Sequence, residues 1–271
     1  MSAAVPVSTR SSAFFTGLIV AALALLVPRD SRPEACVLQS QHVGLTFPVE
    51  KMEREWACRL EPIISQYTTA HKIGPVKTAL AEAVYLYLLD HPPTAAALIN
   101  RLDLGLYKSE LRGPGRYWGS DGEGTEGIVQ RVYHDDRSRI YFLEGSHHSR
   151  ALPNIRGKAV VFLRMTPVTD LQGDEAVETT LVSYVRLDNR FLSGLLSLLR
   201  PLIGNTVTRK LLKGVEAVNR LGIEMRQHPE RVLFEAMDPP ALPAEDVAFL
   251  KRTLAGRQEP GKVKSQSVAP R

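Results

Sequence analysis

The spacing of apolar residues changes along the chain, and the changes divide it. Residues 13–27 read AFFTGLIVAALALLV, with no charge between Arg10 and Arg29. About 20 apolar residues make a comfortable helical span, so this run suits a signal-peptide core or a short anchor. The text behind it, PRDSRPEAC, offers no good small-x-small cleavage site and no lipoprotein box before Cys36. The expectation is an uncleaved anchor with the rest of the chain exported, periplasmic in a Gram-negative cell; secretion after cleavage is the alternative. The stretch 28–49 is proline-containing linker. Across 49–67, Trp56, Leu60, Ile63, Ile64 and Tyr67 recur at helical spacing, with Pro62 as a kink or break. A second helix is predicted over 78–89, stopped by Asp90-His91-Pro92-Pro93, and a third over 94–102, with Pro93 near its start.

At Gly105 the period becomes that of strands. Six are predicted, over 106–112, 116–119, 127–134, 139–145, 158–167 and 176–187. Between the second and third, Ser120-Asp121-Gly122-Glu123-Gly124 has hairpin-turn chemistry rather than the alternating pattern of a calcium loop. Consecutive strands joined by short turns make an antiparallel sheet. An apolar stretch, FLSGLLSLL at 191–199, leads to Arg200-Pro201 and then to a long amphipathic helix over 202–227. Its stripe runs Val207, Leu211, Gly214, Val215, Val218, Gly222 and Met225. Pro239 to Pro243 is a stiff linker, 244–254 a short helix, and the tail from Gly256 has no apolar period.

The formal charge of the 271 residues is +5. Lys251, Arg252, Arg257, Lys262, Lys264 and Arg271, set against Glu259, account for all of it, so the basic balance belongs to the tail and not to a nucleic-acid-binding face. Such a tail suits an anionic membrane surface or plain solvation. Two cysteines, Cys36 and Cys58, are too few for a disulfide scaffold. In an oxidising compartment they can pair; otherwise they are two free thiols.

Helices, a run of about six antiparallel strands and a long closing helix make an α+β layer fold. This order, with the segment 84–104 as an opening helix pair, resembles the helix-grip fold of START-like lipid-transfer proteins and polyketide cyclase relatives. The resemblance covers roughly 76–227 and rests on element order. It implies a sheet curled around the C-terminal helix, a cavity between them, and a bound lipid or other apolar small molecule. It also implies a first strand before the helix pair, for which 72–76 is the candidate. The division expected is an anchor and linker (1–35), a helical extension (36–75), the helix-grip domain (76–237), and a linker, short helix and basic tail (238–271).

Two strands, around Val160 and Leu181, are apolar on both faces, so each face is covered or one lines a cavity. Arg131, Glu144, Arg164 and Arg186 are charges inside strands. Each faces solvent or, if inward, needs a partner, and an inward pair would anchor a headgroup or carboxylate at the bottom of an apolar pocket. The candidate ligand-contacting residues are Arg131, Tyr141, Glu144, Arg164, Tyr184, Gly214 and Gly222. Gly214 and Gly222 either allow close helix–sheet packing or leave room beneath the helix. Adjacent His147 and His148 point to opposite faces of a strand and do not make a metal pair. The sequence carries no nucleophile, phosphate-loop or metal motif, so no cofactor is expected. Two rival readings are a cyclase or dehydratase using an inward Arg, or Glu126 or Glu144, on a bound ring, and a ligand-free structural envelope protein.

Overall fold

The computed structural model describes residues 36–148, 154–188 and 200–255. The apolar run at 13–27, the stretch at 191–199 and the tail from 256 lie outside them. Among the described residues no helix is long and apolar enough to cross a membrane.

The chain first makes a small ribbon, β1 (Gln41–His42) with β2 (Leu45–Thr46), a 3-10 turn at Val49–Lys51, and helix α1 (Arg54–Ser65). Helix α1 runs through Pro62 without ending. Strand β3 (Thr69–Thr78) follows, then helices α2 (Glu82–Asp90) and α3 (Pro92–Arg101). Proline in the first turn of α3 removes an amide that no helix could have used there, and it ends α2 at Asp90. Six strands come next: β4 (Lys108–Gly113), β5 (Arg116–Ser120), β6 (Thr125–His134), β7 (Ser138–His147), β8 (Ile155–Thr169) and β9 (Glu175–Leu187). The long helix α4 (Arg200–Gln227) holds Pro201 in its first turn, so the proline opens that helix. Helices α5 (Pro229–Met237) and α6 (Ala244–Ala255) close the described chain.

The fold is α+β, with seven antiparallel strands in the order β3-β9-β8-β7-β6-β5-β4. The six strands expected are present. The seventh, β3, is longer than the 72–76 candidate and pairs with β9, which places the first and last strands of the sheet side by side. Its period is masked in the sequence by the Gly74-Pro75 bulge. Because β3 runs to Thr78, the helix expected from 78 begins at Glu82.

Alternation along each strand sends side chains to two faces that meet different partners. On the outer face, Ile140, Phe142, Val160, Phe162, Val182 and Tyr184 are buried against Phe47, Val49, Met52, Leu60 and Ile63 of the N-terminal segment. A disulfide between Cys36 and Cys58 ties this segment to α1. Closing a loop of that size lowers the entropy of the unfolded chain, a stabilisation of about 3 kcal/mol. On the inner face, Leu163, Met165 and Val177 pack with α2, α3, α5, α6 and the C-terminal half of α4. Helix α6 docks through Leu250 and Leu254, and through a buried Asp246 that accepts hydrogen bonds from Tyr87 and Thr94. Tyr87 is stacked between Phe249 and His91.

His42 is buried in the outer layer. It stacks on Phe162 at 4.1 Å between ring centroids, and its Nδ1 lies 3.3 Å from the Tyr184 hydroxyl. Burial holds its imidazole below the ordinary 6.5. The unfolded chain therefore takes up a proton that the native state refuses. Its contribution to stability is full above about pH 6.5 and is lost as pH falls through the lowered native value. Between about pH 7.5 and about pH 5, urea midpoints of the wild type should fall more than those of His42→Phe. Equal falls would place the acid sensitivity elsewhere.

Candidate functional site

Helix α4 is fastened to the rims of the inner face. On the β3 side, the Thr208 hydroxyl lies 2.9 Å from His71 Nδ1, and Thr78 donates to Asn219 at 2.6 Å. On the opposite side, Lys210 donates to Asp121 at 2.5 Å and Lys213 to Glu123 at 2.6 Å, both in the β5–β6 turn. Burial pushes the Asp121 carboxyl up, but the Lys210 ammonium and the Thr125 and Glu123 amides outweigh it, and the net shift is downward. At its C-terminal end, Arg226 binds Asp170 in the β8–β9 turn.

Between these fastenings the helix joins two apolar clusters. Val207 meets Val185, Ile155 and Leu187 near one end. Ala217, Val218, Leu221 and Met225 join the large inner core at the other. Leu211, Gly214 and Val215 belong to neither, and neither do Val129, Tyr141, Leu143, Ala159 and Val161 on the sheet below, all half-buried. The outer-face neighbours of these same strand residues, Phe142, Val160 and Phe162, are at most 5 % exposed. A methyl group built on Gly214 meets nothing within 4 Å, whereas one on Gly222 comes within 3.1 Å of Leu80 and 3.2 Å of Thr78. Gly214 therefore faces room and Gly222 serves close packing.

Glycines mark one end of this region. Gly119, Gly127, Gly145 and Gly157 lie in register across β5, β6, β7 and β8. A side chain on Gly127 would sit 2.5 Å from the Glu144 carbonyl, and one on Gly145 the same distance from that of Glu126. Glycine is the residue that permits such close backbone approach.

A polar row crosses the otherwise apolar face. Arg131, Tyr141, Val161, Ser183 and His71 are direct cross-strand neighbours on β6, β7, β8, β9 and β3. Arg131 donates to the Asp90 carboxylate at the end of α2, and Arg139 lies 3.7 Å from the other oxygen of that carboxylate. Tyr117 donates to the Asp90 carbonyl at 2.9 Å. Burial pushes the phenols of Tyr141, Tyr85 and Tyr117 up, and it pushes the imidazole of His71 down, so these groups are neutral. Among the described residues, Ser183 Oγ, His71 Nε2, Thr69 Oγ1 and Arg139 Nε are buried on this side with no hydrogen-bond partner, as are Arg226 Nε on α4 and His42 Nε2 on the outer face. Buried polar atoms of this kind usually find water or a ligand as partner.

No protein-family model matches the chain, and no curated protein matches it. Solved structures similar to it include a conserved protein from Geobacillus kaustophilus, at 12% identity over 57% of this chain and 93% of that one, with a TM-score of 0.39. Another is an uncharacterised protein from Bacillus thuringiensis, at 12% identity over 57% and 98%, with a TM-score of 0.36.

The residues singled out from the sequence separate by face. Arg131 and Tyr141 are direct neighbours on the inner side, and Gly214 lies on the helix that crosses that side. Glu144, Arg164 and Tyr184 lie elsewhere, because alternation turns them outward. Glu144 pairs with Lys158 at 3.7 Å in solvent, Arg164 donates to Ser138 at 2.9 Å, and Tyr184 is buried under the N-terminal segment. Glu126 is also exposed, so neither carboxylate considered for acid–base work faces the inner side. Sequence reasoning passed over Asp90, Arg139, His71 and Ser183. Asp90 was read as a helix stop and Arg139 as a strand start; their meeting depends on α2 folding across the sheet.

Replacing Gly214 by Ala should stabilise the protein by about 1 kcal/mol, the ordinary helix-propensity gain. Gly222→Ala should forfeit that gain to overpacking, which costs about 1–3 kcal/mol. Equal stabilisation in chemical denaturation would contradict the distinction. Ser183→Ala, by removing a buried hydroxyl that has no partner, should leave the ligand-free protein as stable as the wild type or more so. A loss above about 1 kcal/mol would show that the hydroxyl is satisfied.

Proposed function

We propose that this chain is an exported, membrane-tethered binding protein of the helix-grip type, which holds a lipid or other apolar small molecule between α4 and the inner face of the sheet. The observation that carries the reading is the contrast between the two faces of the same strands. Phe142, Val160 and Phe162 are sealed on the outside, while Tyr141, Leu143 and Val161 keep accessible surface on the inside. A concave, mostly apolar space with a few converging polar groups is the usual form of a small-molecule site. The element order supports the helix-grip assignment. A strand precedes the helix pair, a six-strand meander follows, and the long helix comes after it, ahead of α5 and α6.

A cleft of about 310 Å³ between α4 and the β4 side of the sheet, bordered by Leu104, Leu106, Tyr107, Lys210 and Ala217, is the entrance in this reading. Lys210 and Lys213, paired with the β5–β6 turn, flank it. The Cys36–Cys58 disulfide supports export, because such bonds persist in oxidising compartments. Residues 13–27 then supply the tether, and the basic tail from Lys251 onward a second contact with an anionic bilayer.

Native mass spectrometry of the full-length chain released from detergent should show a co-purified apolar adduct. Gly214→Leu, which projects a side chain into the open space, should lose the adduct while its circular dichroism and melting cooperativity are kept. A wild-type spectrum with no adduct, before and after addition of lipid extract, contradicts the proposal.

A further inference from the structure

We infer that the N-terminal half of α4 is a gate that bends at Gly214 and widens the cleft beside the β5–β6 turn; this rests on the binding role proposed above and specifies how the ligand enters. The two halves of the helix are held by unlike means. Of residues 204–214 none is buried, whereas Ala217, Leu221, Gly222 and Met225 are. The C-terminal half sits in the large inner core, and at Gly222 its backbone comes close against Leu80 and Thr78. Among the described residues of the N-terminal half, only Val207 joins an apolar cluster. Local stability follows buried apolar contact, so the N-terminal half is the part of the helix that opens first.

The other fastenings of this half are polar and lie at the rim. Thr208 meets His71 Nδ1 at 2.9 Å on the β3 side. On the opposite side Lys210 meets Asp121 at 2.5 Å and Glu123 at 3.6 Å, and Lys213 meets Glu123 at 2.6 Å. The Lys213–Glu123 pair is half exposed, and pairs of that kind add little to stability. The Lys210–Asp121 pair is more sheltered and is the main latch. Lysine reaches through a flexible four-carbon stem, so its ammonium can follow the turn while the helix axis moves. The turn keeps its shape without the latch. The other Asp121 oxygen accepts from the Glu123 and Thr125 amides at 2.8 and 2.9 Å, and Gly122 lies against the Leu106 carbonyl.

Gly214 stands where the two halves join. Glycine is among the weakest residues in a helix interior, because its backbone has the most freedom to lose. No neighbour demands it here, since a methyl group at this position meets nothing within 4 Å. The cleft of about 310 Å³ has Leu104, Leu106 and Tyr107 on one wall and Lys210, Lys213 and Ala217 on the other. An outward bend at Gly214 carries the two lysines away from the apolar wall and leaves Ala217 in the core. The bend uncovers little apolar surface, because the moving half has little buried.

Amide hydrogen exchange on the full-length chain kept soluble in amphipol reads the two halves separately. In the wild type, residues 206–213 should exchange about tenfold faster than residues 217–225. Gly214→Ala should slow the first set about fivefold and leave the second unchanged. Lys210→Met should speed the first set alone, and Lys210→Arg should restore it. A helix that opens as one body answers each substitution equally in both halves. Entry is read by stopped-flow mixing with a neutral apolar probe, N-phenyl-1-naphthylamine, with amphipol alone as the blank. Lys210→Met should speed uptake and release of the probe in the same proportion, which is the signature of a gate.

If the two halves exchange alike, or if the probe rates ignore Lys210→Met, the gate falls and the binding role stands. If the probe does not bind the wild type at all, both fall. The wild-type comparison between the two halves of α4 keeps the gate open to refutation even if a variant does not fold.

Discussion

An antiparallel sheet that is apolar on both faces must be covered twice, and the way this chain covers its two faces differently governs the rest of the structure. The outer face is closed by direct packing. Phe47, Leu60 and Ile63 lie on Phe162, Val160 and Phe142, and the disulfide holds the covering segment to its own helix. The inner face is packed at one end, where Leu163, Met165 and Val177 meet the helices, and is crossed by α4. Helix α4 is fastened at the β3 edge through His71 and Thr78, at the opposite edge through Asp121 and Glu123, and at the far turn through Asp170. A helix tied at its rims need not descend onto the floor of the sheet. At Gly127 and Gly145 the neighbouring backbones come too close for a side chain.

The polar groups follow from this arrangement. Alternation brings Arg131 and Arg139 to the inner face, where α2 presents Asp90. The same alternation carries Glu144 and Arg164 away from it. On a closed sheet, Ser183 and His71 would each cost stability as unsatisfied polar groups, since a buried orphan hydroxyl or imidazole nitrogen loses its water without recompense. In the proposed binding role a ligand or water supplies the missing bonds. Charged and hydrogen-bonding groups are thus collected along one row of the inner face.

The strands were legible in the sequence because period-two alternation and the glycine and aspartate turns are local signals. Strand β3 was harder. Its run is interrupted by Gly74-Pro75, and its partner β9 lies more than a hundred residues away in sequence. The second helix was expected too early because Thr78 belongs to that strand. Within the site, Arg131, Tyr141 and Gly214 were visible as charged, hydroxylated or side-chain-free positions in regular elements. Tyr184 and Arg164 were chosen on the same grounds and face the other way. Which face is inner depends on where α1 and α4 settle, a long-range fact absent from a two-residue period. Gly214 and Gly222 look equivalent on the helical stripe, and only Leu80 and Thr78 pressing on the second tell them apart.

The central claim is that the space between α4 and the sheet is open and apolar along most of its lining. Xenon enters dry apolar cavities large enough to hold it and leaves filled cores alone. Diffraction from crystals of the protein pressurised with xenon tests the claim without assuming any ligand. Xenon bound between Gly214 and the side chains of Val129, Leu143 and Val161 is the result this account predicts. An inner face free of xenon, with α4 side chains seated on those three residues, would contradict it.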